Sequence, residues 1–198
     1  MIKKNEIIAI LERSVYRLAS ALVTLMLAII CGPAELGIYA AGTIVLNLSL
    51  SVLEIPLRQA IAGELGDGRL PKNTSKFVFK LGLYGVGVVA IGLLCMLLFR
   101  VVDLEAFVKL TVFVPVPLIV LVGIPKTAVL EAKQKWSFII FGQLIAFVTS
   151  ISIAFVLLPI FGAGAATAQT ILAEGLLLVW VTIWGEKNAF PSSDKDIE

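Results

Sequence analysis

Few side chains in this sequence could do chemistry, and most of those sit inside apolar runs. Glu54 and Arg58 lie four residues apart near the end of a long apolar stretch, so on a helix they share one face. Arg17 lies about one turn beyond Arg13, at the start of the first apolar run. If the first two helices run antiparallel, Arg17, Glu54 and Arg58 come to similar depth. Two readings of that set stay open. Either the arginines snorkel to lipid headgroups and Glu54 pairs with one of them, or all three line a polar cavity and hold an anionic group. Arginine suits phosphate because its planar fork donates two hydrogen bonds at once. Glu174 stands ten residues after Gly164, roughly 15 Å along a helix and near a bilayer's midplane. It is too deep to snorkel. It either lines a cavity and couples to a proton, or makes a helix–helix contact with Gln169 or Asn47, which share its approximate depth. The candidate cavity set is therefore Arg17, Asn47, Glu54, Arg58, Gln169 and Glu174. Lys109 is expected to snorkel outward. Asn47, Ser49 and Ser51 also read as hydrogen-bonding groups between helices.

Enzyme chemistry finds little support. The chain has no histidine, which removes the commonest metal ligand and the usual proton shuttle. There is no spaced cysteine cluster, no phosphate-binding loop and no nucleophile beside a base. Glycines 82, 85, 87 and 92 fall inside an apolar helical run with no strand before them, so they are not a dinucleotide fingerprint. Cys31 and Cys95 lie at apolar helix ends and read as small hydrophobes. No catalytic residue, cofactor, metal or nucleic-acid partner is expected.

The elements that must carry these groups are membrane helices. Of 198 residues 59% are hydrophobic and 15% charged, and the mean hydropathy is +1.02. Soluble domains hold roughly 45–50% apolar and about 25% charged residues. Six apolar runs, at 14–30, 36–62, 77–99, 106–124, 136–158 and 165–184, are each near the length a bilayer requires, about 20 residues. Gly32-Pro33 separates the first two. Pro115 and Pro117 are expected to kink the fourth in its middle. A basic loop is expected over 125–135 and a tight turn over 159–164. The glycines of the third run predict close helix packing and put that helix in the centre of the bundle. Residues 1–13 read as an interfacial juxtamembrane helix, and residues 186–198 as a polar tail.

Six spans put both termini on one side. Twelve lysines and arginines, from Lys3 to Lys195, fall in the segments on that side, against Arg100 in the opposite links. The bias makes that side cytoplasmic. Trp136, Trp180 and Trp184 then fall at the inner interface, where amphipathic rings prefer to sit.

Three segments carry a resemblance. Gly32-Pro33-Ala34-Glu35-Leu36-Gly37-Ile38-Tyr39 resembles the G-P-x-E-[FY]-G-x-Y turn between the first two helices of bacterial polysaccharide flippases. These are the O-antigen and exopolysaccharide exporters of the multidrug/oligosaccharidyl-lipid/polysaccharide superfamily. Gly123-Ile124-Pro125-Lys126-Thr127-Ala128-Val129-Leu130, with Lys133 and Trp136, is similar to their loop between helices four and five. Phe161-Gly162-Ala163-Gly164 through Gln169 is similar to their turn into helix six. The resemblance implies an all-α, six-helix lobe of MATE-like fold in the bacterial inner membrane. It implies translocation of undecaprenyl-pyrophosphate-linked oligosaccharide by alternating access, with Arg17 and Arg58 as counterparts of cationic cavity residues. Members of the family have two such lobes and this chain matches the first, so a second lobe is the implied partner, as another copy or a separate chain. The alternatives are a non-transporting scaffold for polysaccharide assembly and a small-molecule exporter of the same architecture.

Overall fold

The computed structural model describes residue 18 and residues 20–66, 74–133 and 135–185. The expectations for residues 1–13, Arg17, the middle of the polar loop, the Trp184 side chain and the 186–198 tail lie outside the described residues.

Among the described residues the chain is helical, with no strand. α1 is Ser20–Ile30. It is followed by α2 (Pro33–Gly66), α3 (Thr74–Leu98), α4 (Leu104–Leu110), α5 (Val116–Ala132), α6 (Trp136–Phe161) and α7 (Ala163–Trp180). Five stretches are long and apolar enough to cross a membrane: Pro33–Ile61, Lys76–Leu98, Leu104–Glu131, Trp136–Phe161 and Ala163–Ile183. These are the helices of a multi-pass membrane protein. The expected 14–30 span is described only as the shorter α1. Large apolar side chains cover the outside; Leu48 is 68% exposed and Phe99 80%. Such a surface is an aggregation hazard in water and suits acyl chains.

The fourth span departs from expectation. Its prolines do not kink one helix but separate two. α4 tightens into a 3₁₀ turn over Thr111–Phe113, and α5 starts afresh with Pro115 as its N-cap. Pro117 falls in the first turn of α5, where its missing N–H has no helical partner to lose. α5 then runs through Pro125 to Ala132, so most of the expected 125–135 loop is helix. In an apolar setting one lost bond is cheaper than an unwound backbone, and Thr127 Oγ1 bonds Ile124 O at 3.0 Å beside the proline. Likewise α6 includes Pro159 and ends at Phe161, leaving Gly162 alone as the turn.

α7 lies at the centre, against α2, α4, α5 and α6. α3, expected there, instead packs on α2 and α5 with Leu83, Tyr84, Val88 and Ile91 exposed on its other side, because its contacting glycines, Gly82 and Gly85, lie on one side only. The close approach of α3 rests on Gly82 and Gly85. A Cβ there would meet Leu118 Cδ1 at 2.6 Å and Pro117 Cβ at 2.7 Å. Gly87 has nothing within 4 Å of that position and takes no part in the packing. At one end, Leu57, Ile61, Val78, Leu121 and Ile124 form a buried cluster between α2, α3 and α5. Trp180 fills the space over Gly142, stacks on Phe138 with centroids 5.2 Å apart, and donates from Nε1 to Phe138 O at 3.3 Å. It is a packing residue between α6 and α7.

Candidate functional site

Helical spacing sets a row of polar groups along one side of α2: Tyr39, Thr43 and Asn47, each four residues on, and further down Glu54 and Arg58. α7 faces this row with Gln169, Thr170 and Glu174. Between them, closed on a third side by Gln143 and Phe147 of α6 and by Phe113, lies a cleft of about 140 Å³. A second hollow of about 60 Å³ follows, lined by Arg58 of α2, by Gly123 and Thr127 of α5, and by Val181. Glu174 and Leu177 line both. The carboxyl that depth placed near the midplane is therefore the point where two hollows meet.

Three sequence candidates, Asn47, Gln169 and Glu174, come together in the larger cleft. Gln169 is buried and donates from Nε2 to Ser150 Oγ at 3.0 Å, which ties α7 to α6. Ser150 is a partner of Gln169 that the sequence reading did not name. Asn47 is exposed along the cleft. Ser49 joins helices as expected, donating to Gly85 O of α3 at 3.4 Å. Ser51 bonds back to Asn47 O on its own helix at 2.7 Å. Tyr39 is buried with its ring 6.0 Å from that of Phe113, which gives one wall an aromatic face.

Glu54 and Arg58 pair as their spacing predicts, Nε to Oε1 at 2.8 Å. The guanidinium also reaches Glu131 of α5, Nη1 to Oε1 at 3.6 Å. That second carboxylate was hidden because its position read as loop. Arg58 is thus held by two acidic side chains, one on its own helix and one on α5, and Lys126 of α5 donates to Thr182 Oγ1 at 2.7 Å at the same end of the bundle. The Arg58 and Glu54 side chains are 44% and 30% exposed, so the pair adds at most about 1 kcal/mol to stability.

A further group was missed outright. Lys109 reaches back toward the start of α4, where its Nζ donates to Glu35 Oε1 at 2.6 Å and to Glu105 Oε1 at 2.8 Å. Glu35 Oε2 accepts from the Ala163 backbone N–H at the start of α7, also at 2.6 Å. The Glu105–Lys109 spacing of four was legible. The Glu35 contact, 74 residues away in sequence, was not. Glu35 and Arg58 stand 23 residues apart on α2, about 35 Å, so the two charged groups mark opposite ends of the bundle.

Among the described residues no group of three His, Cys, Asp or Glu side chains could hold a metal ion. The cleft offers amides, hydroxyls, aromatic faces and one carboxyl. Such a lining suits hydroxyl-rich or cationic ligands. No family model matches the chain, and no curated protein or solved structure matches it either.

Proposed function

We propose that this chain is a six-helix lobe of a membrane transporter that moves a lipid-linked oligosaccharide across the bacterial inner membrane, with both termini in the cytoplasm and a MATE-like arrangement. The observation that carries the reading is the lining of the larger cleft. Thr43, Asn47, Gln143, Gln169 and Thr170 supply neutral donors and acceptors beside the rings of Tyr39, Phe113 and Phe147. Sites for small polar ligands combine apolar and aromatic walls with a few placed polar groups in this way, and amides with aromatic faces match a sugar's hydroxyls and C–H faces. The three motif segments point in the same direction. The amide and aromatic lining supports the saccharide as the part read in this cleft. A second lobe, from another copy or another chain, completes the enclosure.

One observation favours a second reading. Glu174 lies in the walls of both hollows, and a carboxyl there suits export of an organic cation. A scaffold without transport is the third. In proteoliposomes, Thr43→Leu with Asn47→Leu is expected to abolish flipping of a fluorescent undecaprenyl-pyrophosphate saccharide while the protein remains folded. Unchanged flipping overturns the saccharide reading; drug sensitivity on deletion with normal surface polysaccharide establishes the exporter. Loss of polysaccharide through Gly85→Leu alone, with the cleft variant silent, establishes the scaffold.

A further inference from the structure

The end of the bundle away from Arg58 is tied by charged and polar bonds, two of which converge on one carboxylate. Glu35 stands in the first turn of α2. Its two oxygens take the ammonium of Lys109 from α4 and the first N–H of α7. Thr167 of α7 adds a bond to Lys109 O at 3.1 Å. On the other side of the α1–α2 turn, Cys31 Sγ donates to Leu158 O of α6 at 3.2 Å. A Cβ on Gly162 would run into the Glu35 carboxylate, and its φ of +53° belongs to the region glycine favours. The turn between α6 and α7 is therefore shaped around Glu35.

We propose that Glu35, Lys109 and Gly162 form a releasable latch that holds the α1–α2 turn onto the α6–α7 turn. Three features make it releasable rather than merely structural. The side chains of Glu35 and Lys109 are 23% and 21% exposed, so water reaches both when they part. Glu105, 78% exposed and on Lys109's own helix, keeps the ammonium paired after Glu35 leaves, so the cation is not stranded. Gly162 is a one-residue joint between two long helices, and hinges are built from such residues. Released, the α1–α2 turn lifts from α7 and the bundle opens at the end opposite Arg58. The use of that opening rests on the transporter reading; the latch itself does not.

Cys31 is a native reporter. Burial pushes its thiol above the ordinary value, the Glu35 carboxylate pushes it the same way, and Lys109 acts in the opposite sense. Glu35→Gln would thus change both exposure and ionisation, whereas Gly162→Ala displaces the carboxylate and keeps its charge. In native membranes, with Cys95→Ser as background, the rate of Cys31 alkylation by N-ethylmaleimide is read at high pH, where the thiol is fully ionised. Gly162→Ala and Glu35→Gln are each expected to raise that plateau about tenfold or more, as follows from losing one hydrogen bond to a charged group. Glu105→Gln is expected to leave it unchanged. The same two variants are also made in a chain whose sole thiol is Val89→Cys, a position with 0% exposure in mid-bundle; its alkylation is expected to stay slow. An unaltered Cys31 plateau overturns the latch, and so does a parallel rise at Val89→Cys, which marks general loosening. The labelling needs no substrate, so a silent flipping assay beside a released Cys31 counts against the transporter reading alone.

Discussion

Removing the hydroxyl of Ser150 tests whether the larger cleft holds water. Ser150 is fully buried and accepts the Gln169 amide at 3.0 Å while donating to Phe147 O at 3.1 Å. Ser150→Ala leaves the Gln169 amide without that acceptor. In a dry apolar site an orphaned amide costs up to about 3 kcal/mol. Here Gln169 lines a cleft of about 140 Å³, far above the roughly 10–15 Å³ one water needs, so water takes over the bond. The expected loss is that of an interhelical hydrogen bond in a membrane bundle, about 0.6 kcal/mol and at most about 1.7 kcal/mol. Gln169→Leu is expected to fall in the same range, because Ser150 keeps its bond to Phe147. The assay is reversible unfolding in mixed micelles for both single variants and the double variant, which isolates the coupling between them. A loss near 3 kcal/mol for Ser150→Ala refutes the reasoning, since it means that no water reaches Gln169. A coupling energy near zero refutes the bond itself.

Gly85→Leu is expected to cost about 1–3 kcal/mol by overpacking α3 against Pro117, whereas Gly87→Ala, facing open space, stabilises by about 0.4–1 kcal/mol; the same unfolding assay checks both. Arg100 ends α3 with φ +56°, and the Val101 N–H reaches back to Met96 O at 2.8 Å. This is the position that glycine occupies in most helix ends of this kind, so Arg100→Gly is expected to raise stability by about 1 kcal/mol in the same measurement. Arg58→Ala is expected to lower stability by less than about 1 kcal/mol, read as an almost unchanged unfolding midpoint. A loss of several kcal/mol there would show that Glu54 and Glu131 need the cation more than their exposure allows.

Much of this architecture could be read from residue patterns, and the misses have definite causes. The apolar runs declared the helices because their lengths match a bilayer. Counting 1.5 Å per residue placed Asn47, Gln169 and Glu174 at one depth, and they share one cleft. The glycine spacing of α3 foretold its close packing at Gly82 and Gly85, but spacing cannot tell which glycine faces a neighbour, and Gly87 does not. The prolines misled in both directions. Pro115 and Pro117 start a helix instead of bending one, and Pro125 sits inside α5 without ending it. Local preference yields there to the need to keep backbone groups bonded among apolar neighbours. The Glu35–Lys109 contact and the reach of Arg58 to Glu131 depend on which helices are adjacent, and no local pattern carries that information.

The central claim is a water-filled polar cleft inside an otherwise lipid-facing helix bundle. Single cysteines at Thr43, Asn47 and Thr170, and at the outward-facing Leu48, Ile91 and Phe155, in a chain with Cys31→Ser and Cys95→Ser, test it in native membranes with a charged methanethiosulfonate reagent. Rapid modification is expected at the first three positions and none at the last three. Equal reactivity in both groups, or silence at Asn47 and Thr170, would contradict it.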